Sequence, residues 1–170
     1  MSLDKEREIE KARFLFELAL KSDEVLKQSY ERLNEKIRGF FAIASTLVPI
    51  IVGLGYFVLK ETKANWLSIP IFLSLILLLL AIAQGISLQE PSEFRFLQPL
   101  KVIKKFKQKP LRYIMNKCAV TWAKGVYYNN KVINSKENGL KRMLYLILAS
   151  LTILAISFLI LAIATLKGII

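Results

Sequence analysis

The fold is decided by residues 66–88, which read WLSIPIFLSLILLLLAIAQGISL. This stretch carries no charged residue, and a helix formed by residues 71–82 would be apolar on every face. A helix needs about 20 apolar residues to cross the hydrocarbon core, where it satisfies its own backbone hydrogen bonds. A helix of a soluble bundle would instead carry an amphipathic stripe. The stretch therefore predicts a transmembrane helix.

Two further blocks, residues 40–59 and 143–166, have the same character, and 54% of the 170 residues are hydrophobic. We predict an all-α integral membrane protein with three transmembrane helices and long cytoplasmic helical extensions. Its expected parts are a cytoplasmic N-terminal heptad helix (1–39), a transmembrane hairpin (40–88), a basic cytoplasmic connection (89–142) and a third transmembrane helix (143–170).

The positive charge is local, and it predicts the orientation of the chain. Residues 89–142 hold 13 Lys and Arg but three acids, which is most of the net charge of +12. Because positive loops stay in the cytoplasm, we expect a multi-pass protein of the cell membrane with its N-terminus inside and its C-terminus outside. Residues 1–38, ahead of the first block, carry both signs of charge, unlike a signal peptide, so the mature chain is expected to begin at Met1.

The N-terminal segment reads as one long helix with an apolar residue at every seventh position in two registers. Asp23 breaks this pattern, and a lone polar residue in such a seam can fix its register. The partner of the seam is either a second copy of the chain or the helix that follows Pro110 in the same chain. The predicted oligomer seam comprises Phe16, Asp23, Leu26, Tyr30, Leu33 and Ile37.

Pro99 and Pro110 bracket a short basic segment with interleaved apolar residues. Near a membrane face, each cation gains about 1 kcal/mol from anionic headgroups. A soluble anionic ligand is the alternative, although no glycine-rich phosphate loop is present. Nucleic acid is a less favoured partner, since no binding module is recognisable. The predicted lipid or anion contacts are Lys101, Lys104, Lys105, Lys107, Lys109 and Arg112.

From residue 111 to about residue 136, apolar residues return at helical spacing and predict an amphipathic cytoplasmic helix. Asn138 and Gly139 are turn formers that could cap or bend it before the third span. Three asparagines fall four residues apart, and their polar face either lines a vestibule or is simply solvated. The predicted vestibule residues are Asn130, Asn134 and Asn138.

Catalytic chemistry is not indicated by the residue types present. The chain has no histidine and one cysteine, Cys118, and no acid lies inside a predicted span. General acid–base, metal-assisted and nucleophilic mechanisms all need such groups. We therefore expect no enzyme and no cofactor, and we expect Cys118 to be a small buried residue.

The order of these parts resembles small antiviral membrane effectors of the Pycsar transmembrane and SLATT types. The similarity rests on a charged helix entering the first span at residues 30–41, two closely linked spans, and residues 130–142 entering the last span. The resemblance implies cytoplasmic helices that sense or relay a signal to a membrane-disrupting bundle.

A chain of three spans is too small to enclose a conducting path alone. The expected function is therefore a homo-oligomer that forms a pore or perturbs the bilayer, and the resemblance implies that it would act as a defence effector. The alternative is a membrane-anchored scaffold or subunit that recruits a protein partner through its cytoplasmic helices.

Overall fold

The computed structural model describes residues 3–62, 65–90 and 109–166, and these residues are almost entirely helical. Helix α1 runs from Leu3 to Thr62, and α2 from Ser68 to Gln89 after a 3-10 turn, Asn65–Leu67. Helix α3 runs from Leu111 to Leu166. The predicted all-α class is confirmed for the described residues, and all three helices are long and apolar enough to cross a membrane.

Helix α1 passes without a break from its charged half into its apolar half, as the sequence predicts. Helix α2 ends at Gln89, two residues before Pro91, whose ring cannot continue a helix. The turn that Asn138 and Gly139 could form is absent, because α3 continues through both residues. A glycine inside a helix costs about 1 kcal/mol. Packing of Gly139 against α2, described below, offsets that cost.

The chain divides into two compact units. Unit 1 consists of Met1–Leu33 and Pro91–Ser135, and unit 2 of Asn34–Glu90 and Lys136–Ile170. The predicted boundaries at residues 39–40 and 142–143 fall inside α1 and α3, which are continuous there.

Unit 2 is a bundle in which α1, α2 and α3 each bury a column of side chains at heptad spacing. Such spacing keeps one face of a helix turned toward its neighbours along its whole length. The buried residues of α1 are Ile37, Ala44, Ile51 and Val58; those of α2 include Ile71, Ser74, Leu78, Ala81, Gly85 and Leu88. The core column of α3 comprises Lys136, Met143, Ser150 and Ser157.

Helices α1 and α3 run in the same direction through unit 2. Asn34 lies beside Lys136, with 3.3 Å between Oδ1 and Nζ, and seven residues later Phe41 and Met143 both border Gly85. Over these seven residues the two helices are therefore parallel and keep the same register.

The outer surface of unit 2 is apolar, unlike that of a soluble bundle. Large side chains such as Phe57, Ile69 and Phe72 point outward with more than 60% of their surface exposed, while serine, alanine and glycine lie in the core beside larger apolar residues. In water this surface would be an aggregation hazard. Small residues at helix contacts and large apolar residues on the outside are typical of helices packed in lipid.

Unit 1 pairs one face of α1 with one face of α3. The rings of Phe16 and Trp122 meet edge to face, with their centroids 5.8 Å apart. Leu33 on α1 and Cys118 on α3 are buried in the same unit. The apolar face of the N-terminal helix is thus used within the chain at Phe16.

Candidate functional site

The side chain of Lys136 is buried and joins all three helices of unit 2. Its ammonium group donates to the carbonyl oxygens of Leu88 at 2.8 Å and Glu90 at 3.5 Å, and to Asn34 Oδ1 at 3.3 Å. These acceptors belong to α1 and to the end of α2, whereas Lys136 belongs to α3. One cation therefore fixes the relative position of three helices.

The chemistry of a helix end explains why a lysine is held here. The last carbonyls of a helix have no partner within it, and they carry partial negative charge. The Lys136 ammonium supplies both hydrogen-bond donors and positive charge at the end of α2. Burying an ammonium is costly unless its donors are satisfied, and here three oxygens accept from it.

A second polar contact lies deeper in the bundle, between α2 and α3. The hydroxyl oxygens of Ser74 and Ser150 are 2.6 Å apart, and each hydroxyl also lies within hydrogen-bonding distance of the other residue's carbonyl. Both residues are fully buried. Two hydroxyls that satisfy each other can be buried at low cost, and they specify the alignment of α2 and α3.

Two glycines allow α2 and α3 to approach closely. A Cβ atom at Gly139 would lie 2.5 Å from Leu88 Cδ2, and one at Gly85 would lie 3.1 Å from Met143 Cε on α3 and 2.9 Å from Phe41 Cδ2 on α1. Gly139 also lies one helical turn after Lys136, so its close packing brings the ammonium to the end of α2. The glycine is therefore a packing residue rather than a helix terminus.

Gly139→Leu is expected to lower the free energy of unfolding by about 1–3 kcal/mol, because the added side chain overpacks the contact with Leu88. Thermal unfolding in detergent, followed by circular dichroism, measures this change. Gly53→Leu is the matched control, since a Cβ atom there meets nothing within 4 Å. Equal stability of the two variants would contradict the close approach at Gly139.

The residues of the predicted seam lie on the inward face of α1. Leu33 and Ile37 are buried, and the other four positions are half-buried. Phe16 contacts Trp122 of the same chain, which supports an intrachain partner at that position. An intermolecular role for the seam remains a prediction.

Asp23 lies in the seam with one carboxylate oxygen, Oδ1, buried and without a hydrogen-bond partner in the described part of the chain. The indole nitrogen of Trp122 is likewise buried and has no hydrogen-bond partner among the described residues. A buried polar atom left unpaired costs about 1–3 kcal/mol. Asp23, the residue that breaks the heptad pattern, therefore lowers the stability of unit 1.

The predicted asparagine ladder does not lie in the core of either unit. Asn130, Asn134 and Asn138 are exposed, whereas the neighbouring Asn129 is fully buried. The three side chains are therefore available to solvent or to another chain, and the vestibule remains a prediction.

The basic segment lies largely outside the described residues. This applies to Lys101, Lys104, Lys105 and Lys107, while Lys109 and Arg112 are described and exposed. The predicted contact with lipid or anions at these six residues stays a prediction.

Cys118 is buried in unit 1, as expected. Burial raises the pKa of its thiol, because the charged thiolate loses hydration there. Within the described residues, no group of three or more His, Cys, Asp and Glu side chains could hold a metal ion.

Lys136, Ser74 and Ser150 are the principal polar residues of the bundle, and they were not predicted as a site. A signal for the α3 residues was present in the sequence, where Asn129, Lys136, Ser150 and Ser157 fall on a single seven-residue repeat. Their partners on α2 and α1 could not be read from that repeat, because it does not say which faces meet.

Comparison of the chain with protein-family models, curated proteins and solved structures finds no match.

Proposed function

We propose that this chain is a homo-oligomeric membrane protein that forms a pore or perturbs the bilayer. In this proposal unit 2 is embedded in the bilayer, and unit 1 lies in the cytoplasm and controls assembly. The proposal rests on the apolar outer surface of unit 2 and on a polar column that this surface presents.

The outer surface of unit 2 suits a hydrocarbon environment. Its exposed large side chains are mainly leucine, isoleucine and phenylalanine, while Ser74, Ser150, Ser157 and Lys136 are buried. Transferring this surface from water to lipid is favourable at about 25 cal/mol per Å². This supports insertion of all three helices.

The interior of the described bundle is filled rather than open. Ser74 meets Ser150, a methionine borders Gly85, and Lys136 occupies the end of α2. An aqueous path through the membrane would therefore run between copies of the chain and not through one copy.

The observation that carries the proposal is an exposed polar column on α3. Asn138, Tyr145 and Thr152 fall seven residues apart, and all three are exposed. Tyr145 has 69% of its surface accessible, and Thr152 bonds to its own helix at the Leu148 carbonyl. Tyr145 and Thr152 lie in the proposed third span, where outward polar groups favour contact with another chain or with water, and Asn138 precedes that span. Lys141 and Arg142 nearby would give such a path a preference for anions.

The biological setting that we propose follows the resemblance to antiviral membrane effectors. A signal received by unit 1 would promote assembly, and the assembled spans would damage the membrane. Defence is thus a proposed context for the pore.

The purified chain reconstituted in liposomes is expected to release a trapped dye. Replacing both Tyr145 and Thr152 by Leu should remove most of this release, because an apolar constriction dewets. Exchanging two exposed apolar residues, Ile160 and Ile163, for Leu is the control and should leave release unchanged. Liposomes that stay sealed under all conditions would favour the scaffold function.

The proposed orientation places the N-terminus in the cytoplasm and the C-terminus outside. In a Cys118→Ser background, a cysteine at exposed Lys124 should react with an impermeant thiol reagent only from the cytoplasmic side. A cysteine at exposed Lys60 should react only from outside. Labelling of intact and opened cells measures this difference, and labelling of both positions from one side would contradict three spans.

A membrane-anchored scaffold is the second candidate, and an exposed apolar surface on unit 1 favours it. Phe14, Leu18 and Val25 on α1 are more than half exposed, although the sequence around them is charged. Exposed apolar patches of this kind mark binding sites for other proteins.

A further inference from the structure

Unit 1 carries two columns of opposite charge. On α1 every seventh residue from position 10 is a glutamate, and on α3 every seventh residue from position 117 is a lysine. The acidic column comprises Glu10, Glu17, Glu24 and Glu31. The basic column comprises Lys117, Lys124 and Lys131. Between residues 111 and 136, α3 contains no acid, so nothing on that segment offsets the basic column.

Both columns are exposed. In the described part of the chain no ion pair joins one column to the other, and the side-chain pairs found there are local. Glu17 pairs with Arg13 one turn away at 3.3 Å, where both side chains are more than 60% exposed. Lys117 lies over the Tyr113 ring, 6.0 Å from its centroid. Such exposed contacts are weak and can be exchanged for an intermolecular partner.

Each column is bordered by exposed apolar or aromatic side chains. Phe14 lies between Glu10 and Glu17 on α1 and is 62% exposed. On α3, Tyr113, Val120 and Tyr127 alternate with the lysines, and Tyr127 is 78% exposed. Aromatic groups surrounded by charged residues are typical of the surfaces through which proteins associate.

We propose that the acidic column of one copy docks on the basic column of a second copy. The partner is another copy of this chain because the two columns have the same seven-residue repeat. When one lysine is level with one glutamate, the others are matched as well. A lipid surface or a nucleic acid would use the lysines but would leave the glutamates without a role.

The heights of the charges within one chain already agree. Phe16 contacts Trp122, and α1 and α3 run in the same direction. Glu17 lies one residue after Phe16 and Lys124 two after Trp122, so the two differ by about 1.5 Å in height at that contact. Copies held at one depth in a bilayer would therefore match without an axial shift.

Docking of one surface on a different surface is a head-to-tail contact. Repeated in the plane of a membrane, such contacts close into a ring or continue as a chain. This inference rests on the proposed function, because it says how the proposed homo-oligomer is held together.

Charge reversal of the full-length chain in detergent or nanodiscs tests the contact. Lys117, Lys124 and Lys131 changed together to Glu should weaken assembly at least about tenfold, and so should Glu10, Glu17 and Glu24 changed to Lys. Light scattering measures the mass, and melting curves report whether each variant folds. Combining both sets in one chain should restore assembly, because the charges are exchanged and the match is kept. Reversing Lys11, Arg32 and Lys36, which are exposed and lie on α1 away from the acidic column and from Phe14, is the control with the same change in charge.

Cross-linking identifies the pairing directly. In a Cys118→Ser background, a chain with Glu17→Cys and a differently tagged chain with Lys124→Cys should form a mixed disulfide dimer on oxidation. Neither variant should link efficiently to itself, because the contact is between unlike surfaces. Ser29→Cys, at an exposed position of α1 that points away from the acidic column, is the control.

These experiments distinguish a failure of the charge contact from a failure of the proposed pore function. Assembly that survives both reversals, or that the combined variant fails to restore, would overturn the contact while leaving pore formation intact. Loss of assembly on lysine reversal alone would overturn it in favour of an anionic lipid or another polyanion. A chain that assembles as expected but never releases dye would retain the contact and remove the pore.

Discussion

Lys136→Glu is expected to unfold the bundle of unit 2. The substitution places a carboxylate where the oxygens of Leu88, Glu90 and Asn34 now accept hydrogen bonds, so donors are lost and like partial charges meet. Leaving a buried charge without a partner costs about 3–5 kcal/mol, which is a large part of the stability of a domain. Thermal and denaturant unfolding in detergent measure the loss.

Two further variants test the reason for that loss. Lys136→Met keeps the length of the side chain but leaves carbonyls without a donor, so it should cost less, about 1–3 kcal/mol. Lys141→Glu makes the same charge change at a side chain that is 59% exposed and should cost little. If Lys136→Glu melted like Lys141→Glu, the three-helix contact would be incorrect.

Leu26→Asp combined with Leu33→Asp is expected to dissociate α1 from its packing partner in unit 1. Leu33 is 8% exposed and Leu26 is half-buried. Loss of apolar burial costs about 1.5–3 kcal/mol per leucine, and each new carboxylate adds a desolvation penalty. Melting curves and limited proteolysis of residues 3–33 measure the effect.

The matched control adds two aspartates to the same helix at exposed apolar positions. Leu18 and Val25 are 53% and 55% exposed, so replacing them by Asp should change the stability by less than about 1 kcal/mol. If this variant lost as much stability as the first, the face at Leu18 and Val25 would be a packing surface too. A cross-linkable cysteine at Asp23 would then show whether the partner is a second copy.

The helices themselves could be predicted from the sequence because they depend on local properties. Uninterrupted apolar blocks and the absence of glycine and proline before residue 39 are enough to predict α1 and α2. The turn expected at Gly139 does not form, because the local preference of glycine for turns does not decide its conformation here. Its close approach to Leu88 does, and that contact involves a residue 51 positions away in the sequence.

The buried polar contacts could not be predicted because they depend on the mutual rotation of helices. Ser74 and Ser150 are separated by 76 positions, and each alone is an ordinary small residue of a span. In the sequence, Lys136 is one of several cations that precede the third span. It is buried because the rotation of α3 about its axis turns this side chain toward the end of α2.

The core column of α3 also determines whether α3 can pack against α2 in more than one alignment. If α3 slipped by one heptad, about 10.5 Å, Ser157 would take the place of Ser150 opposite Ser74, and the hydroxyl contact would survive. Apolar packing disfavours the slipped alignment at Leu88, because Leu146 would take the place of Gly139 there. In addition, Met143 would stand at the end of α2, where its thioether has no proton to donate. Lys136 and Gly139 therefore act together, and they determine which alignment the three helices adopt.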